Sequence, residues 1–258
     1  MSDACNQTPF WQRQPVLPKG ILDFLRTRTE AALVDPGARQ VLAWPTVLAA
    51  PGFRKAHPDG VPEGQLLQQA LPMLRPLGLV DAKAVWKEHR EAFLDTALLG
   101  PSGWLPHPSW GSWGPLVSLR CGWTLAALTP LLLGAQYPLA CGVSLFNHGL
   151  YYECHDALEP LWSEASGTLK AQIQGLILLA AGYHHLQQAN LAGMAALWEE
   201  ALKRLQGARS WVATPWGTLD IGTSLDLTAR RLDHVKCMHD AAELAPLWEL
   251  DRPTWSLS

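Results

Sequence analysis

At 258 residues the chain is long enough to bury a sizeable core in one large or two modest domains. Charged residues make up 17% and hydrophobic ones 48%, the composition of a compact folded chain rather than a disordered one. The net charge of -3, with the basic residues dispersed, gives no electrostatic footprint for nucleic acid, so DNA and RNA are not expected partners.

The opening MSDACNQTPFW has neither a basic region nor an apolar stretch after it, and the five cysteines share no disulfide-scaffold spacing. A cytoplasmic location is the expectation. Residues up to Gly20 read as an extended lead-in. Ile21–Leu33 then has the apolar spacing of a helix that stops before Asp35-Pro36-Gly37. The apolar piece Val41–Ala50 is interrupted by Pro45, and the chain from Phe53 to Gly64 reads as loop with a turn at His57-Pro58-Asp59-Gly60. A helix from Glu63 carries Leu66, Leu67, Leu71 and Leu74, with Pro72 inside it. Asp81 caps a further helix through Leu99, with Gly100 as its stop and His89 packed near its apolar face.

Residues 101–118 place Trp104, Trp110 and Trp113 among prolines, glycines and serines. A loop of this length either clamps a core with its own aromatics or forms an aromatic wall for a flat ligand. The clamp is the preferred reading on the usual roles of such loops, and no polar triad for sugar hydroxyls stands nearby in sequence. Between Arg120 and Glu153 there is no Asp, Glu, Lys or Arg, a run long enough to raise the question of a membrane span. Pro130 and Pro138 divide the run and would leave backbone groups unpaired in lipid, so WTLAALTPLLL is expected to be a buried helix instead.

The segment Leu145–Leu205 carries the unusual chemistry. FNHGLYYECHDALEPLW puts His155, Glu159 and Trp162 on one helical face, with Asp156 beside them. A second helix, Leu169–Asn190, is nearly uncharged, and a third follows Asn190 as its N-cap. Short connections make these helices antiparallel, so the acidic helix should face the neutral one. Gly175 and Gly182 are expected to allow that close approach. His155 and Glu159 can supply two ligands to a divalent ion, with His184 or His185 added from the second helix. Adjacent residues diverge by about 100° on a helix, so those two histidines cannot both enter one small site, and periodicity alone leaves the choice open. The order H-D-x-x-E is neither the zinc-hydrolase H-E-x-x-H nor the paired E-x-x-H of di-iron bundles. The competing reading is a buried hydrogen-bond network. In it Glu159 accepts from His155 or His184, Trp162 donates its indole N–H, and Asn147, Gln174 and Asn190 tie helix ends to loops.

Cys154 and His155 are adjacent and diverge, so they do not form a nucleophile and base pair. His234, Cys237 and His239 do not share one face. No G-x-S-x-G, phosphate loop or dinucleotide fingerprint is present, and no catalytic residue is assigned. The loop SWVATPWGTLDIG leads to a closing helix, Leu225–Leu244, and the tail PLWELDRPTWSLS reads as draped over the surface and partly mobile.

The string F-N-x-G-x-Y-Y-x-x-H-D-x-L-E-P-x-W, followed by Q-G-L-I-L-L-A-A and a histidine, resembles the bacterial family catalogued as domain of unknown function 309, whose members are small helical proteins. The resemblance covers Phe146 to about Leu205 and selects His184 over His185. Asp156 stands where the family usually has Glu, one methylene longer, which counts against a direct ligand role there. The family implies a fold and no activity.

The expectation is therefore an all-α helical bundle with long Trp/Pro/Gly-rich loops. A Trp-rich helical module spans residues 1–118, an apolar connection 119–142, and the bundle 143–258. Candidate binding residues for a divalent-metal or small-molecule site are Asn147, Tyr151, His155, Asp156, Glu159, Trp162, Gln174, His184 and His185, with His155, Glu159 and His184 as the ligands if the occupant is a divalent metal ion. The alternative is a structural or protein-interaction module with an internal polar network.

Overall fold

The computed structural model describes residues 14–75, 97–131, 137–208, 210–237 and 251–258. The fold is mostly helical, with two small antiparallel sheets among the described residues. Leu17–Pro130 forms one compact unit and Leu131–Ser258 belongs to another. Among the described residues no helix is long and apolar enough to cross a membrane.

In the first unit α1 spans Lys19–Val34 and buries Ile21, Leu25 and Ala32. A 3-10 stretch, Pro36–Leu42, leads into α2, Ala43–Leu48, whose first turn contains Pro45. Proline is tolerated there because the first helical N–H groups have no partner to lose. One helical turn, α3 (Phe53–Ala56), replaces part of the expected loop, and α4 follows at Glu63–Leu74. The helix expected from Asp81 to Leu99 falls mainly on residues outside those described, His89 included. Its last residues are strand instead: β1, Ala97–Gly100, pairs antiparallel with β2, Gly103–Pro106, and Gly100 faces Gly103 in the register. Ala97–Gly100 is thus a short hairpin arm, not a helix end.

Trp104 and Trp110 are buried, while Trp113 is half-buried. Trp104 exchanges backbone hydrogen bonds with Val61 at 2.8 and 3.0 Å. A 3-10 segment, Pro108–Trp113, precedes α5, Gly114–Leu128, which ends before Pro130. Trp123–Leu128 of the apolar run is thus helical, in a helix that starts earlier than its sequence suggested and that the chain leaves before Pro130. Ser118 Oγ donates to the Thr46 carbonyl at 2.6 Å and holds α5 on α2.

In the second unit α6 covers Tyr137–Asn147 and α7 Tyr151–Glu164, so Phe146 and Asn147 belong to a separate helix from His155. Helices α8 (Gly167–Gln187) and α9 (Leu191–Leu205) match the expected second and third helices. Asn190 is the N-cap, its side chain accepting from the Gly193 N–H at 3.0 Å. Gln14 is tied to α8, its N–H donating to the Gln187 carbonyl at 2.8 Å.

Two expectations need correction here. A Cβ at Gly182 would collide with the Trp198 indole and one at Gly175 with Leu205, so these glycines admit α9 and not the acidic helix. The loop after Ala208 is a hairpin, β3 (Trp211–Thr214) with β4 (Gly217–Asp220), turning at Pro215-Trp216. Helix α10, Gly222–Lys236, follows and is capped by Cys237; the expected closing helix beyond Cys237 lies outside the described residues.

The described part of the tail, residues 251–258, is not draped. β5, Ser256–Leu257, adds to β4, and Trp255 is buried. The Asn147 side chain donates to the Trp255 carbonyl and accepts from its N–H, both at 2.8 Å, while the Phe146 and Trp255 rings stack at 3.8 Å. Beneath it, Arg231 is fully buried and donates to the Asp251 carbonyl at 2.6 Å and to the Tyr183 hydroxyl at 3.3 Å. The Tyr183 hydroxyl also shares a 2.7 Å hydrogen bond with Thr228.

Candidate functional site

Helix α7 buries Tyr151, Cys154, Ala157, Leu158 and Leu161, and packs against α6 and α8. That spacing fixes which residues reach the opposite edge. Pro160 lies inside the helix and cannot donate to the Asp156 carbonyl four residues back, so the turn carrying the polar group lacks one ladder hydrogen bond.

On that turn His155, Asp156 and Glu159 each direct a ligand atom to a common locus, all within 4.8 Å of one another. His155 Nδ1 lies 3.1 Å from Asp156 Oδ1, and His155 Nε2 lies 3.6 Å from Glu159 Oε1. Burial is graded across the group: the side chain of Asp156 is 2% exposed, that of His155 31% and that of Glu159 45%. The carboxylate of Asp156 is therefore held in the protein while that of Glu159 reaches water. A carboxylate accepts and does not donate, so the short Nδ1 contact assigns the Nδ1 proton to His155. The Nε2 lone pair then points to the Glu159 side.

The remaining candidates fall into separate places. His184 packs on Tyr152, one turn before His155, with ring centroids 5.3 Å apart, and is not a member of the three-residue group. His185 turns to the start of α9, where its Nδ1 accepts from the Asn190 side-chain amide at 2.8 Å, and burial pulls its pKa below the ordinary imidazole value. Asn147 is engaged with Trp255, a tie between a helix end and the tail. Tyr151 is fully buried and its hydroxyl is pushed well above the usual phenol range, first by burial and then by Tyr183. Gln174 is half-buried on α8. Trp162 does not donate as expected, since among the described residues its indole N–H meets no acceptor. Its ring instead lies 4.4 Å from Lys170 Nζ.

Sequence reasoning missed two things. Lys170 is outside the motif, yet the short link at Ala165-Ser166 brings the first turns of α8 back beside the end of α7. Glu153 is also buried, and it escaped notice because it lies on the core-facing side of α7 rather than beside His155. Cys154 is buried between these acids. Burial first, then Glu153 and Asp156, pushes its thiol well above the ordinary range, which removes it as a nucleophile.

No match to a curated protein or to a solved structure was found. Residues 139–197, from α6 into the first turns of α9, match the family model described as Domain of unknown function (DUF309), and this part of the chain is similar to that family.

Proposed function

We propose that the outer edge of α7 is a divalent-metal site in which His155 Nε2 and the Glu159 carboxylate are the ligands and Asp156 holds the imidazole in register. The 3.6 Å separation of Nε2 and Oε1 carries this reading. Two ligands on a tetrahedral ion at bond lengths of about 2.1 Å lie roughly 3.4 Å apart, so both can reach one ion with little adjustment. A metal-bound histidine commonly donates its other N–H to a carboxylate, which is the relation between His155 Nδ1 and Asp156. One imidazole and one carboxylate suit zinc, manganese or ferrous iron rather than calcium. With Glu159 half in water, the remaining coordination positions are open to solvent or to a small anionic ligand.

A second reading has one observation in its favour. The His155–Asp156 contact is by itself a satisfied hydrogen bond, so the cluster could be internal glue in a structural or protein-interaction module. Metal uptake separates the two. Untagged protein titrated with zinc or manganese should bind one equivalent, Glu159→Gln should lose it with unchanged melting, and Asp156→Asn should weaken it by about 10- to 100-fold. Absence of uptake, or equal uptake by wild type and Glu159→Gln, favours the glue. We further infer a reducing, non-membrane setting without nucleic acid, consistent with Cys121, Cys141, Cys154 and Cys237 as free thiols.

A further inference from the structure

The first unit contains a cavity of about 290 Å³ that the edge of α7 does not involve. Its walls come from two stretches far apart in sequence, Leu48–Lys55 and Pro106–Pro115. Gly52 and Gly111 shape the two walls with φ of 79° and 46°, backbone that other residues adopt only under strain. Phe53 and Trp110 are nearly buried, so the interior is lined with aromatic and aliphatic carbon.

The mouth has the opposite character. Arg54 and Lys55 are exposed and line it together with His107, and no Asp or Glu is among the described lining residues. The Ser109 N–H donates to His107 Nδ1 at 3.2 Å, so Nδ1 is the acceptor and the neutral ring carries its proton on Nε2 as a donor. An apolar interior with two cations and one further donor at its entrance is complementary to a small acid with a flat apolar body. The volume is at the lower end for organic ligands, which limits the occupant to one or two rings.

We propose that this cavity binds a small planar aromatic carboxylate. The ring lies against Phe53 and Trp110, and the carboxylate meets Arg54, whose planar guanidinium can engage both oxygens. The site is independent of the metal reading, because none of its residues lies on α7.

Saturation-transfer NMR and calorimetry on the full chain, with benzoate, benzamide and inorganic phosphate as probes, test it. Benzoate should bind at least tenfold more tightly than its neutral amide and than phosphate, since one lacks the charge and the other the ring. The double variant R54A/K55A, altered only at exposed positions, should lose at least tenfold in benzoate affinity with unchanged melting. Ala50→Leu, which fills the cavity while leaving the cations in place, should lose binding too. No benzoate binding, equal binding of benzamide or phosphate, or benzoate affinity undiminished in both variants would overturn the proposal.

Discussion

The second unit contains two polar assemblies, and they solve opposite problems. Around Arg231, polar groups are sealed in: the guanidinium reaches the Tyr183 hydroxyl and the Asp251 carbonyl, and Asn147 grips both backbone groups of Trp255. On α7, His155 and Glu159 instead face partly outward, with only Asp156 sealed. A buried charge is tolerated when its donors meet acceptors, and its removal then strands those acceptors. A group at the edge loses little when removed, because water replaces its partner. The first assembly should therefore govern stability and the second should govern binding.

The largest effect is expected at Arg231. Arg231→Met should destabilise the protein by about 3 kcal/mol, since it leaves a carbonyl and a phenol without their charged donor. Urea midpoints at constant slope measure this, and a loss below about 1 kcal/mol would mean that the buried assembly is not what holds the tail. Asn147→Ala should cost about 2 kcal/mol and raise amide exchange in residues 255–258, while the hairpin β3–β4 keeps its protection. Glu159→Gln should change stability by less than about 0.5 kcal/mol and yet abolish metal uptake. Loss of several kcal/mol there would erase the distinction between the two assemblies.

The smallest effect concerns His185. Its folded pKa is lowered by burial, so the neutral form is favoured in the native state. The associated stability is complete above the ordinary imidazole value of about 6.5 and is lost as pH falls from there through the folded value. Protonation would also end the hydrogen bond from Asn190, the N-cap of α9. Melting temperature should fall more for wild type than for His185→Gln between pH 7.5 and 5.5, and an equal or smaller fall would show that this contact does not titrate with folding.

Much of the site was legible because it is local. His155, Asp156 and Glu159 lie within one helical turn, so 3.6-residue periodicity suffices to bring them together. The same rule failed for the partner helix. Gly175 and Gly182 announce a close approach, but nothing in their spacing says to which neighbour, and it is Trp198 and Leu205 of α9 that fill the space. The hairpin at Trp211–Asp220 was read as loop because its strands are four residues each and it turns through Pro215-Trp216, without the Asn-Gly or Asp-Gly signal of tight turns. The tail was misjudged for a related reason: its anchors, Asn147 and Arg231, lie over 100 and 20 residues away, the separations to Trp255 and Asp251 being 108 and 20.

Sequence alone determined the helical class, the positions of α1 and α8, the extent of α9, and the three chemical groups on one turn of α7, because each depends on neighbours within a few residues. Tertiary structure decided which face of α8 meets which helix, that Asp156 is sealed while Glu159 is wet, that the C-terminal strand is locked by Asn147, and that Arg54 and Lys55 line one cavity together with Trp110. Those outcomes depend on packing between distant stretches. Burial is a property of what surrounds a residue, and local spacing cannot encode it.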